Sequence, residues 1–425
     1  MSEVLLPTTR AQVSGHRFLR RRVEHALVLG DLRMIHDPLA RRQRALLFGV
    51  VAMVMIGLGA GLLALVRPAA DPGQAAILRA DSGALFVRVE ERLHPVHNLA
   101  SARLVAGEAA DPAKISDEVL LSHQLGAPVG LIDAPAVLPA APPGEVGWAV
   151  CEDVSAQRLG VVAGVRPENL GEEEAVLVES SGASYLLNTE GRFRLPDPDS
   201  REGRVIRRAL GITSDTPRWE PRPEVLEVAV AGPDFAVPAE ARRVLLAAEL
   251  AWLETPSGLV QLSEVQSRIL GDLGTPVEEV PRELVADHPD APDPPPLNLP
   301  ERRYTWVDPA AGPLCLSGER GHPGRLAELP GAVELPGVSV AQFYAGPVTG
   351  TLAVDTGSGY RVVSESGLVH PVPDPEVFGV LGLSPEQVSA PWPILKLLPQ
   401  GTVLDPVAAR RIQFPGPSAE GVGES

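Results

Sequence analysis

The chain has 425 residues, a net charge of −17 from 37 basic and 54 acidic side chains, and a 44% hydrophobic share. That balance argues for folded material and against nucleic-acid binding, which needs clustered Arg and Lys. Its 44 prolines and 41 glycines predict many turns, short elements and extended connections rather than long helical bundles.

Residues 1–45 read as a basic arm. From Phe18 to Leu29 the apolar Phe18, Leu19, Val23, Ala26 and Leu27 recur at near-helical spacing, with Arg20, Arg21, Arg22 and Glu24 between them. An amphipathic basic helix of this kind lies on anionic lipid or docks on a partner. The bland reading of Arg20, Arg21 and Arg22 is topology control alone. Asp37-Pro38 then breaks the helix.

Residues 46–66, LLFGVVAMVMIGLGAGLLALV, contain no charged residue and no proline. A helix of that length spans the roughly 30 Å hydrocarbon layer of a bilayer. A cleaved signal peptide has a shorter apolar stretch and a shorter leader, so a transmembrane helix is expected. The arm carries nine arginines against Glu3, Glu24, Asp31 and Asp37. The positive-inside rule therefore keeps the N-terminus in the cytoplasm and places everything after Arg67 outside. Within the span, Gly57 and Gly61 form a small-xxx-small pair through which another helix can approach closely, although glycine is common in such helices anyway.

The outer region repeats itself. DSGALFVRVEERLHPVH from Asp81, SSGASYLLNTEGRFRLP from Ser180 and GSGYRVVSESGLVHPVP from Gly357 each show a Ser-Gly turn, a β-rich run, a second turn and a second strand. ALGITSDTPRW and VLGLSPEQVSAPW extend two copies with a Gly-ended helix and a loop carrying a tryptophan, Trp219 or Trp392. A poorer copy centres on Ser257-Gly258. The segments around Cys151 and Cys315 do not fit the repeat. The expected fold is α+β: a cytoplasmic amphipathic helix, one transmembrane helix, and an elongated set of β-rich repeat modules around a central disulfide-linked domain. Its parts are module 1 in 67–143, the central domain in 144–170 and 301–348, modules 2 and 3 in 171–300, module 4 in 349–414, and a disordered tail in 415–425. Both cysteines fall on the outer side, where oxidised pairs persist, and pairing is expected. Two separate buried thiols are the alternative.

Chemical motifs are weak. Val354-Asp355-Thr356-Gly357-Ser358 imitates an aspartic-protease box, with Asp81-Ser82-Gly83 as its partner, but hairpin turns explain every copy. His94 and His97 in HPVH lack the further ligands of a metal set, and His370 occupies the matching repeat position. The two lysines, Lys114 and Lys396, lack the glycine and hydroxyl neighbours of a phosphate-binding loop. No catalytic residue, cofactor or metal is expected.

TTRAQVSGHRFLRRRVEHALVLGDLRMIHDPL, the span, ADSGALFVRVEERLHPVHNLASARLV, WAVC, LGLSPEQVSAPWPILKLLPQG and VLDPVAARR resemble EccB, a membrane subunit of the actinobacterial type VII (ESX) secretion system. The resemblance implies a structural subunit that anchors the translocation machine in the cytoplasmic membrane. It implies assembly with the EccC motor ATPase, EccD and EccE, outer contact with the mycosin protease, and a homo-oligomer within the complex. It also implies a disulfide-bearing core to which Cys151 and Cys315 correspond. A shorter stretch between Leu270 and Tyr304 sets this chain apart. Some members are labelled ATPases, and an ATP-hydrolysing subunit or a peptidoglycan-binding envelope module are the alternative readings.

Overall fold

The structure, a computed structural model, describes residues 9–30, 38–66, 72–138, 146–237, 241–293, 296–335, 337, 339–346, 350–383 and 388–413. Asp37 and the tail 415–425 lie outside the described residues. The chain divides into two units, Met1–Asp71 and Pro72–Ser425.

The first unit holds two helices. Helix α1 (Arg10–Leu29) opens on a capping box, in which the Thr9 and Gln12 side chains each accept the other's backbone N–H. It closes at Gly30, whose φ of 68° is the left-handed conformation that glycine adopts without strain. Helix α2 (Pro38–Val66) has 29 residues, about 43 Å at 1.5 Å per residue. It begins eight residues before the apolar run because proline costs nothing in a first helical turn and Leu, Ala, Arg and Gln propagate a helix well. Leu46 therefore marks a hydropathy boundary inside a continuous helix. Among the described residues, Arg44–Leu62 is the one stretch long and apolar enough to cross a membrane, with a mean hydropathy of 2.4.

In the second unit, the first sheet comprises β1 (Ile77–Ala80), β2 (Leu85–Val89), β3 (Arg92–Val96), β4 (Ala113–Ile115) and β5 (Gln124–Leu125), with α3 (Leu99–Ala106) and α4 (Asp117–Leu120). Strands β6 (Trp148–Asp153), β7 (Arg158–Ala163) and β8 (Glu168–Asn169) follow. The next sheet uses β9 (Glu174–Ser180), β10 (Ala183–Asn188), β11 (Gly191–Arg194) and β12 (Arg218–Trp219), with α5 (Arg201–Leu210) and α6 (Pro223–Leu226). A third has β13 (Arg243–Ala247), β14 (Leu250–Thr255), β15 (Gly258–Leu262) and β16 (Val277–Glu279), with α7 (Glu264–Asp272) and α8 (Arg282–Ala286). Then come β17 (Thr305–Trp306), β18 (Leu314–Ser317), β19 (His322–Arg325), β20 (Val333–Glu334) and β21 (Phe343–Ala345). The last sheet has β22 (Leu352–Asp355), β23 (Tyr360–Val363), β24 (Val369–Val372) and β25 (Val388–Ser389), with α9 (Glu376–Leu381), α10 (Trp392–Leu395) and α11 (Pro406–Ala409).

Four of these sheets share one plan. Three antiparallel strands lead into a helix, and a fourth strand returns parallel to the first, as β4 to β1, β12 to β9, β16 to β13 and β25 to β22. A short helix follows, and the chain then pairs in parallel with the third strand, through β5 or through Ala231, Asp290 and Gln400. That last contact covers part of an edge that would otherwise invite pairing with another chain. The fifth sheet is assembled from two remote stretches, in the order β20-β21-β7-β6-β18-β19-β8.

Three cores join the sheets. One face of the seven-stranded sheet, with Trp148, Val150, Val161, Leu314 and Leu316, packs on Val176, Val178 and Trp219 of the second sheet and Val354, Val363 and Ile394 of the last. A second core joins α3 to α9 and hence the first sheet to the last. A third joins α5 to α7, and hence the second sheet to the third.

Two sequence matches land differently in space. Ser257-Gly258 lies at the second hairpin turn of its sheet, between β14 and β15, whereas Gly83, Gly182 and Gly357 lie at first turns. The first turn of the third sheet is Ala248-Glu249, where Ala248 takes a φ of 59° without glycine. Trp219 sits in a returning strand, and Trp392 opens a helix.

Candidate functional site: an arm, a span and a disulfide-linked sheet

Phe18 and Leu19 lie side by side on α1 and are 54% and 59% exposed, with Val23 and Leu27 also exposed. Each is apolar surface left in water, which makes α1 a candidate for contact with lipid or protein. Arg20 makes an i,i+4 ion pair with Glu24 at 3.1 Å on the surface, a pair that contributes little by itself. On α2, a Cβ built at Gly57 or Gly61 would meet nothing within 4 Å, so the small-residue face is open.

Cys151 and Cys315 are bonded. They stand directly opposite each other on antiparallel β6 and β18, and both are fully buried. Their 164-residue separation makes the bond a covalent seam between the two remote halves of one sheet. On the opposite face of β6, Glu152 accepts the Trp219 indole N–H at 2.7 Å and so ties this sheet to the second one. Burial pushes the Glu152 carboxyl above its ordinary range, against the opposing pulls of the Trp219 hydrogen bond and of Arg222.

The residues that imitate chemistry have structural partners. Asp355 accepts the Gly357 N–H at 2.9 Å and holds its own turn. His94 donates from Nδ1 to the Ala127 carbonyl at 2.8 Å, and His370 to the Thr402 carbonyl at 2.9 Å. A carbonyl only accepts, so the proton lies on Nδ1 in both. Each ring rests on a glycine, since a Cβ at Gly126 or Gly401 would come within 2.2 or 2.3 Å of it. Phe193 rests on Gly232 in the same way, so a hydrocarbon ring takes the same place in the second sheet. Lys396 pairs with Glu227 at 2.8 Å, which holds the Glu227 carboxyl below its usual range. Lys114 lies exposed on β4.

Sequence reasoning missed the contacts that close the second unit. Arg103 of α3 is buried and donates to the Leu381 carbonyl at the end of α9 (2.6 Å), to Ala110 (3.2 Å) and to Asp111 (3.0 Å). The Asp133 carboxylate accepts the Thr402 N–H at 2.8 Å and its hydroxyl at 3.0 Å. Burial raises that carboxyl, but these bonds and the nearby His370 outweigh it and hold it low. The pairs span 278 and 269 residues, beyond the reach of any local pattern.

The profile described as "Type VII secretion system ESX-1, transport TM domain B" matches residues 5–243 and 255–413. The Mycobacterium tuberculosis ESX-1 secretion system ATPase EccB1 is 36% identical over 221 residues, which are 48% of this chain and 45% of that protein. In that alignment the chain spans about half the length of its relative. The ESX-2 secretion system ATPase EccB2 of the same organism is 27% identical over 472 residues, 95% of this chain and 94% of that protein. Among solved structures, a chain of an intact ESX-5 inner membrane complex superposes with a TM-score of 0.69 at 24% identity, covering 100% of this chain and 99% of that one. An EccB3 dimer from the ESX-3 core complex gives 0.64 at 22% identity, covering 79% and 100%. With the profile matched along almost the whole length, this chain belongs to the type VII secretion system ESX-1 transport TM domain B family.

Proposed function

We propose that this chain is a structural membrane subunit of a type VII secretion complex, which anchors an outer body through one transmembrane helix and acts by assembly. The observation that carries the reading is the division of labour between its units. An exposed apolar helix and an open glycine face lie in the first, and a disulfide-linked set of sheets forms the second. The four sheets with a shared plan serve as repeat modules, and the seven-stranded sheet as the central domain between them. The N-terminus lies in the cytoplasm and the modules outside, as the arginine-rich arm directs.

The partners proposed for it are an EccC-type motor ATPase, EccD, EccE, the mycosin protease, membrane lipid and further copies of itself. The arm, through Phe18, Leu19 and Arg20 to Arg22, is the surface offered to the motor, and Gly57 and Gly61 are offered to a neighbouring helix. Relatives carry the name ATPase. In this chain Lys396 is engaged by Glu227, and Lys114 follows Ala113 on a strand without a phosphate-cradling glycine loop, which supports a non-catalytic role.

Tagged chain purified from native membranes tests the proposal. Recovery together with a motor ATPase and other membrane subunits is expected. Recovery alone from intact membranes, or stoichiometric ATP binding abolished by one substitution in this chain, would contradict it.

A further inference from the structure

The disulfide belongs to a row of residues that runs straight across the central sheet. Cross-strand register pairs Gly324 with Cys315, Cys315 with Cys151, Cys151 with Gly160, Gly160 with Phe343, and Phe343 with Glu334. Residues paired in register present their side chains to the same face of a sheet. Position 160, beside Cys151, is therefore where a side chain would stand next to the bond. It is glycine, and the Phe343 ring occupies that space: a Cβ at Gly160 would lie 2.5 Å from three of the ring carbons. The Arg158 guanidinium stacks on the same ring, 4.8 Å from its centroid, and pairs with Glu334 at 2.7 Å. Phe343 and both cysteines are fully buried in one cluster with Ala149 and Val162.

We propose that Phe343 is a lid, seated over Gly160 and clamped by Arg158 and Glu334, that seals the Cys151–Cys315 bond from reductants in the folded protein. The bond is then a permanent seam and not a redox switch. Gly160 is required because any side chain there would displace the ring.

Reduction by dithiothreitol makes the requirement concrete. A thiolate of the reagent attacks one cysteine Sγ, forms a mixed disulfide and expels the other Sγ as a thiolate that takes up a proton. The reagent's second thiolate then displaces the remaining Sγ, which is protonated in turn, and the reagent leaves as a cyclic disulfide. Two electrons pass to the protein. The first attack needs an open approach to Sγ, which Phe343 occludes.

The test is the rate of thiol appearance in the full chain against dithiothreitol concentration, by alkylation and mass spectrometry, with unfolding followed in parallel. In the wild-type protein the rate should level off as reagent rises, because opening of the site limits it. Phe343→Ala should be reduced roughly tenfold faster or more, at a rate proportional to reagent, because the thiolate attacks the native bond. Phe343→Leu should fall between, and it stands in if the alanine variant does not fold. Val162→Ala loosens the same cluster without uncovering position 160 and should keep the plateau. Wild-type rates in both Phe343 variants, or rates no faster than Val162→Ala at equal stability, would overturn the lid.

Discussion

The glycines of the span and the glycine of the central sheet show opposite uses of one residue. At Gly57 and Gly61 an added Cβ would meet nothing within 4 Å among the described residues. At Gly160 the space is already filled by Phe343 of the same chain. The first unit exposes apolar side chains at Phe18 and Leu19 and along α2, while the second has buried cores and a covalent cross-link, although it too exposes apolar residues such as Leu121, Ile132 and Val407.

The contrast breaks most visibly at the disulfide. Cys315→Ser should lower the stability of the second unit more than any surface change. On the loop-entropy account, opening a 164-residue closure costs on the order of 5 kcal/mol, an upper figure. Guanidinium denaturation of the variant beside the wild type checks this, and an unchanged midpoint would count against a structural seam.

Filling the open face sharpens the comparison from the other side. An added Cβ at Gly57 or Gly61 meets nothing within 4 Å among the described residues, so Gly57→Leu with Gly61→Leu should preserve insertion and the stability of the second unit. Recovery of neighbouring membrane subunits should drop, because a close helix approach is blocked. Full recovery would show the glycine face to be idle.

The smallest effect expected is at Glu152. Its carboxyl is raised above 4.5 by burial, so folding favours the protonated form. That contribution is fully present below the unfolded pKa and is lost as pH climbs through the folded one. Glu152→Gln keeps an oxygen for the Trp219 N–H and does not ionise. Between the ordinary glutamate pKa and the raised folded one the wild type's stability should therefore decline with pH, and Glu152→Gln should lack that decline. Parallel declines in both proteins would remove Glu152 from the account.

What the sequence could show follows from range. The Ser-Gly turns at Gly83 and Gly182 are legible because φ values of 88° and 75° favour glycine. The third sheet hid its first turn because Ala248 takes the same backbone conformation without advertising it, which drew attention to Ser257-Gly258 one hairpin later. Hydropathy found the apolar run but not the start of its helix, since Arg41, Arg42 and Arg44 continue a helix as well as Leu does. The pairing of Cys151 with Cys315 rested on compartment and on there being two cysteines. By contrast, Phe343 over Gly160 and Arg103 against Leu381 join residues remote in the chain, and no periodicity carries such a contact.

The most direct test of the division between units is Phe18→Ala with Leu19→Ala in the full chain, purified from native membranes. The arginines, and hence the topology, are untouched. Two side chains that each contribute about 1.5–3 kcal/mol when fully buried at a partner are removed. The account predicts a chain that inserts, forms its Cys151–Cys315 bond and keeps the stability of its second unit, yet is recovered without the motor ATPase and does not support secretion. A double variant that retains the motor and secretes normally would contradict it, and would reduce the arm to a topology signal.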